Sequence, residues 1–219
     1  MIDALIFDFD GTIFDSETPD FYSWQRTYAE HGVELSFDVW ASHIGTVGTF
    51  DPYAHLEELI GHTLDRATVR GQRKVHDHAL LSQQTVMPGV HAYLSDARAL
   101  GLKVGVASSS NHAWVDDYLA KLGLAEAFDV VMCRDDVADR PKPDPAVYLA
   151  AAGALGVTPQ RALALEDSPN GLTAAKRAGL YCVVVPNEMT RSLDFAAADH
   201  RLETLTEMPL AQLIARLVD

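Results

Sequence analysis

Apolar residues fall along this chain in two rhythms. Short, nearly continuous apolar runs lie at 4–8, 103–107, 128–133, 162–165 and 181–185. Such runs mark strands buried on both faces of a parallel sheet. Helix-like segments at 111–122, 145–155 and 169–178 separate the later runs, and 209–217 reads as a final amphipathic helix through Leu210, Leu213, Ile214 and Leu217. This alternation predicts an α/β fold whose sheet carries helices on both faces. Residues 16–86 differ. They keep helical periodicity, contain no convincing strand, and hold Tyr22, Trp24, Tyr28, Trp40, Tyr53 and six of the nine histidines. They read as an all-helical unit inserted after the first strand, with residues 1–15 and 87–219 forming the core.

Helix starts are marked by a capping residue before proline at Thr18-Pro19, Asp51-Pro52, Asp144-Pro145, Thr158-Pro159 and Ser168-Pro169. Glycines at 32, 61, 101, 123, 156 and 179 read as stops.

Composition narrows the field. With 48% hydrophobic and 22% charged residues over 219 positions, the chain can bury a substantial core. A net charge of −14 and no basic cluster argue against nucleic acid and anionic membranes as partners. Only Cys133 and Cys182 occur, without metal-ligand spacing, which fits a reducing cytoplasm. No run reaches transmembrane length, and no basic leader precedes a long apolar stretch. The expectation is a cytoplasmic protein, a monomer or small homo-oligomer.

Chemistry collects where strands end. The first run stops at Asp8-Phe9-Asp10-Gly11-Thr12. Two adjacent carboxylates repel unless a cation or proton offsets them, so the spacing points to a metal-assisted site, with a plain Asp-Gly turn as the alternative. The second run ends in Ser108-Ser109-Ser110-Asn111, either an anion cradle or a helix cap. The stiff segment Arg140-Pro141-Lys142-Pro143-Asp144-Pro145 fixes Lys142, aimed at a phosphate or at Asp8, or else merely solvated. The fourth run ends in Glu166-Asp167-Ser168-Pro169-Asn170-Gly171, two more acids, or a capped helix start. An oxygen-only ligand set suits Mg²⁺.

Together, Asp8-Phe9-Asp10-Gly11-Thr12, Val106-Ala107-Ser108, Lys142-Pro143-Asp144-Pro145 and Glu166-Asp167-Ser168-Pro169-Asn170-Gly171 resemble the motifs of the haloacid dehalogenase superfamily, in its β-phosphoglucomutase-like branch. The resemblance implies a Rossmann-like three-layer core with an inserted all-helical C1-type cap. It implies Asp8 as nucleophile and Asp10 as general acid-base. Mg²⁺ would be held by Asp8, the Asp10 main-chain carbonyl and Asp167, with Glu166 in its outer shell. Ser108 and Lys142 would grip the phosphoryl oxygens with backbone N–H groups from Phe9 to Thr12 and at Ser109. Gly11 would let the backbone approach the phosphate.

Asp10 favours phosphate-ester chemistry over the dehalogenases and phosphonatases of the superfamily, which lack an acid there. The implied activity is a phosphatase of a small phosphorylated metabolite, such as a sugar phosphate. A sugar-phosphate mutase is the alternative. The segment 44–50 lacks the cap arginine expected of one, and 16–20 lacks its histidine, although Arg73 or Lys74 can substitute. A phospho-receiver or regulatory binding module is a third possibility, disfavoured because the first strand itself carries Asp8. Thr46, Thr49, Phe50 and Tyr22 are expected to line the substrate pocket. His76 and His78, two apart on a helix, point to different faces and read as structural. Trp24 and Tyr28, four apart, read as packing.

Overall fold

The computed structural model describes residues 1–41 and 50–218. Its sheet comprises β1 (Ala4–Phe7), β2 (Lys103–Ala107), β3 (Val130–Met132), β4 (Ala162–Glu166), β5 (Tyr181–Val184) and β6 (His200–Arg201), ordered β3-β2-β1-β4-β5-β6. Every adjacent pair is parallel. The order reverses at β1, which has β2 on one side and β4 on the other. A crevice opens at such a point, outside the carboxyl ends of the strands. Phe7 lies level with Val106 and with Leu165, so Asp8, Ala107 and Glu166 stand at one height at the carboxyl end of the sheet.

The strands alternate between two apolar layers. Leu5, Phe7, Val106, Leu163 and Leu165 face α5 (Val90–Ala99), α6 (His112–Lys121) and α9 (Leu210–Val218). Ala4, Ile6, Ala162, Ala164 and Val184 face α7 (Ala146–Ala154) and α8 (Pro169–Ala178). Small side chains on both partners of this second layer let its helices lie close to the sheet. The result is the expected three-layer α/β core.

Between β1 and α5 come α1 (Glu17–Glu30), α2 (Phe37–Ala41), α3 (Pro52–Ile60) and α4 (Arg66–Leu81). They gather a third cluster around Phe21, Trp24, Tyr28, Leu35, Trp40 and Leu56, joined by Met189 from the turn after β5. Tyr28 closes it by donating its hydroxyl to the Pro52 carbonyl at 2.8 Å.

Some local expectations shift. Asp51 and Ser168 cap α3 and α8 as read, accepting from Tyr53 N and Gly171 N at 3.0 and 3.1 Å. Thr18 does not start α1, which begins at Glu17, and its own N–H donates to Asp15 at 3.0 Å. Asp144 takes the Ala146 N–H at 2.9 Å, so α7 begins beyond Pro145. Thr158-Pro159 opens only a short 3-10 turn, Pro159–Arg161. The run at 128–133 pairs only over β3. Asp129 instead brackets Val104 through N–H to carbonyl at 2.8 Å and carboxylate to N–H at 2.7 Å. The N–H of Cys133 goes to Asp136 at 2.8 Å, starting the Arg134–Val137 turn. β6 has no apolar run to announce it.

Leu163 is fully buried in the central sheet, whereas Leu149 on α7 is 45% exposed. Leu163→Ala is expected to lower unfolding free energy by about 2–5 kcal/mol, measured in urea, and Leu149→Ala by no more than about 0.5 kcal/mol.

Candidate active site

Asp8 follows β1 directly and is buried, its N–H donating to the Leu165 carbonyl at 2.9 Å. The chain then winds tightly, with the Ile13 and Phe14 N–H groups returning to the Phe9 carbonyl at 2.9 and 3.1 Å. Gly11 sits at φ +82°, and a Cβ there would run into the Asp167 carboxylate and the Asn187 amide. The glycine thus serves the approach of Asp167 to this loop, a closer constraint than the phosphate approach expected of it.

Lys142 is the hub. Its ammonium donates to Asp8 Oδ1 at 2.5 Å and to Glu166 Oε1 at 2.6 Å, and lies 4.9 Å from the Tyr148 ring centre. Tyr148 donates its hydroxyl to the same Glu166 oxygen at 2.5 Å. Ser109 positions the lysine segment from the β2 side, its hydroxyl accepting the Lys142 N–H at 3.0 Å. Gly171 is needed beneath, because a Cβ there would overlap the Glu166 carboxylate.

Asp10 turns elsewhere. Its Oδ1 accepts from Ser16 Oγ at 2.7 Å and Trp114 Nε1 at 2.9 Å, and its Oδ2 from Ser110 Oγ at 2.6 Å. Asp167 accepts from Asn187 Nδ2 at 2.8 Å. Ser108 is buried, and its hydroxyl accepts the Ser110 N–H at 2.9 Å. Thr12 is buried too, and among the described residues its hydroxyl has no hydrogen-bond partner.

The electrostatics are lopsided. Burial pushes the Asp8 carboxyl up to about 8, with Lys142 opposing the rise and Glu166 and Asp10 adding to it. Burial, then the Asp8 and Glu166 charges, carry Asp167 well above the usual carboxylate range. Burial also lifts Glu17 to about 8, reinforced by Asp10 and Asp20. Burial works against the charge on Lys142, but Asp8 and Glu166 outweigh it and keep the ammonium protonated. Asp8, Glu166 and Asp167 can each offer an oxygen within 4.8 Å of the others, all three buried. A hard divalent cation fits this oxygen-only set and would relieve its surplus negative charge.

Above these groups opens a cavity of about 630 Å³. Asp8, Asp10, Ser109, Lys142 and Asp167 line it at the strand ends, with Phe50, Trp24 and Trp40 on the helical side. Gly11, Thr12, Ser108 and Glu166 lie behind that lining. Thr46 and Thr49 lie outside the described residues. Tyr22 faces away, at a shallow depression with Gln25 and Arg26. Trp24, read as packing, is in the aromatic cluster and also walls the cavity. His76 and His78 belong to no group of potential metal ligands among the described residues.

Sequence reasoning did not single out Tyr148, Asn187 or Trp114, and it read Ser110 only as part of an anion cradle or helix cap, not as a partner of Asp10. Asn187 had a readable signal, since it follows the fifth apolar run as the acids follow the first and fourth. Tyr148 and Trp114 sit within helices and look like core residues.

The haloacid dehalogenase-like hydrolase profile matches residues 2–179. The protein "Putative phosphatase YhcW" of Bacillus subtilis is 47% identical over 217 residues, spanning 99% of this chain and 98% of its own. "Validoxylamine A 7'-phosphate phosphatase" of Streptomyces hygroscopicus subsp. limoneus is 32% identical over 95% of this chain and 96% of its own. Among solved structures, CbbY from Rhodobacter sphaeroides in complex with xylulose-(1,5)bisphosphate has a TM-score of 0.75 and 32% identity, over 97% of this chain and 99% of that one. The chain therefore belongs to the haloacid dehalogenase-like hydrolases and is an enzyme of that phosphatase and hydrolase group. No helix among the described residues is long and apolar enough to cross a membrane.

Gly171→Ala is expected to cost about 1–3 kcal/mol by forcing the Glu166 carboxylate aside. Gly153→Ala, on α7 with open space around it, is expected to raise stability by up to about 1 kcal/mol. Chemical denaturation of both variants checks the pair.

Proposed function

We propose that this chain is a Mg²⁺-dependent phosphatase of a small phosphorylated metabolite, a sugar phosphate, acting through an aspartyl-phosphate on Asp8. The observation that carries this reading is the buried Lys142 ammonium bonded to Asp8 on the floor of the cavity. The ammonium holds one carboxylate oxygen and leaves the other for in-line attack on phosphorus. Names borne by relatives support the substrate class, since they include a validoxylamine phosphate phosphatase.

In the first step an Asp8 oxygen bonds to phosphorus as the ester P–O bond breaks, and Asp10 gives its proton to the leaving oxygen. In the second, water attacks phosphorus, Asp10 takes its proton, and the Asp8–phosphorus bond breaks to release phosphate. The partners of Asp10 suit this exchange. The Ser16 and Ser110 hydroxyls can reverse from donor to acceptor when Asp10 is protonated, while Trp114 only donates and keeps the carboxyl oriented. Lys142 and backbone N–H groups of residues 9–12 would face the charge spread over the phosphoryl oxygens. Asp8, the Asp10 main-chain carbonyl and Asp167 would hold Mg²⁺, with Glu166 committed to Lys142 and Tyr148. When bound, the ion would neutralise phosphoryl charge and align it with Asp8.

In this reading residues 1–15 and 87–219 form the catalytic core and the 16–86 helices form a cap that excludes water. Of the two cations that could serve a mutase, Lys74 does not line the cavity, whereas Arg73 does, with its Nη1 paired to Asp20.

Hydrolysis of p-nitrophenyl phosphate and a sugar-phosphate panel is expected with Mg²⁺ and to be abolished by chelator. Asp8→Asn is expected to lose at least about 10³-fold in kcat, the scale of losing a covalent nucleophile. Full turnover by Asp8→Asn, or isomerised sugar phosphate as main product, would overturn the reading.

A further inference from the structure

The helical wall of the cavity opposes its catalytic floor with Asp20, Trp24, Trp40, Arg73 and Asp77. Among the described residues, the lysines and arginines lining the cavity are Arg73, Arg134 and Lys142. The undescribed segment 42–49 contains neither residue type. Lys142 is engaged by Asp8 and Glu166, and Arg134 stands 3.2 Å from Asp139. Arg73 is the cation of the far wall, and it is engaged as well. Its Nη1 donates to Asp20 Oδ1 at 2.5 Å and to Ser23 Oγ at 2.9 Å. Its guanidinium stacks on Trp24, with 4.7 Å from its carbon to the ring centre. Asp77 adds a second carboxylate that feels the Arg73 charge.

We propose that Asp20 sets substrate choice by occupying Arg73, so that the enzyme takes phosphomonoesters with an uncharged far end and rejects those carrying a second phosphate. This rests on the phosphatase reading above. A second phosphate brings about two negative charges to a wall that already holds Asp20 and Asp77. To pair with Arg73 it must compete with Asp20 for a guanidinium that Asp20 already neutralises through Nη1, although Nε has no hydrogen-bond partner among the described residues. A displaced Asp20 is left as a half-buried carboxylate without its cation. A hydroxyl-bearing end meets no such conflict: its O–H groups can donate to the wall carboxylates, and its C–H face can pack on Trp24 and Trp40. The selection is thus a built-in repulsion as much as an attraction.

The test measures competitive inhibition of p-nitrophenyl phosphate hydrolysis at fixed free Mg²⁺ by fructose 6-phosphate and by fructose 1,6-bisphosphate. The readout is the ratio of the two inhibition constants within one protein, which cancels losses common to both sugars. In the wild type the monophosphate is expected to compete at least about tenfold better. Asp20→Asn is expected to shrink that ratio at least about fivefold by freeing Arg73. The double variant Asp20→Asn/Arg73→Ala is expected to lose the gain, and Asp20→Ala serves where Asp20→Asn does not fold. Equal competition in the wild type, no competition by either sugar, an unmoved ratio in Asp20→Asn and Asp20→Ala, or a gain that survives the double variant would each overturn the proposal. Absence of p-nitrophenyl phosphate hydrolysis by the wild type would instead refute the phosphatase reading beneath it.

Discussion

A single ammonium, that of Lys142, joins segments of the chain more than a hundred residues apart. Asp8 comes from the first strand, Glu166 from the fourth, and the lysine from the segment between β3 and α7. Each of these groups is buried, and none is stable there alone, because an unpaired charge loses its hydration without compensation. Their convergence makes the strand ends mutually dependent. The parallel register places Asp8 and Glu166 level, Ser109 sets the height of Lys142, and Tyr148 satisfies the remaining demand of Glu166. The floor of the cavity is therefore rigid for the same reason that it is charged.

That rigidity leaves a charge imbalance. One lysine faces three buried carboxylates, and burial drives Asp8 and Asp167 upward in pKa. The arrangement carries more negative than positive charge, an imbalance that a divalent cation would offset. The far wall solves a different problem with the same materials. There a guanidinium is held between acids and an indole and neutralised within the protein.

The sheet and the acid-bearing loops were legible because buried parallel strands are short apolar runs, and polar residues at their ends have few reasons to be there. β1, β2, β4 and β5 follow from that rule, and so do Asp8, Asp10 and Asp167, whereas Lys142 was read from the prolines that stiffen its segment. β6 escaped because two polar residues on an edge carry no hydrophobic signature. Helix starts at Thr18 and Thr158 misled because a Thr-Pro pair marks a turn as readily as a cap. Trp114 and Tyr148 escaped for another reason. Each is an aromatic on a helix face, indistinguishable by spacing from a packing residue, and only the fold reveals that its polar tip reaches a carboxylate. Arg73 was visible as a candidate cation, but its pairing with Asp20 spans fifty-three positions and two helices.

Asn187 and Met189 sit two residues apart and face different worlds. The amide of Asn187 holds Asp167 through Nδ2, while its Oδ1 takes the N–H of Met189 at 2.9 Å. The Met189 side chain is buried among the aromatics of the helices that follow β1. Any tilt of those helices away from the strand ends must either expose an apolar side chain to water or drag this turn along. In the second case the tug arrives at the carboxylate of Asp167. A turn of four residues thus acts as a tether through which helical motion and the Asp167 carboxylate feel one another.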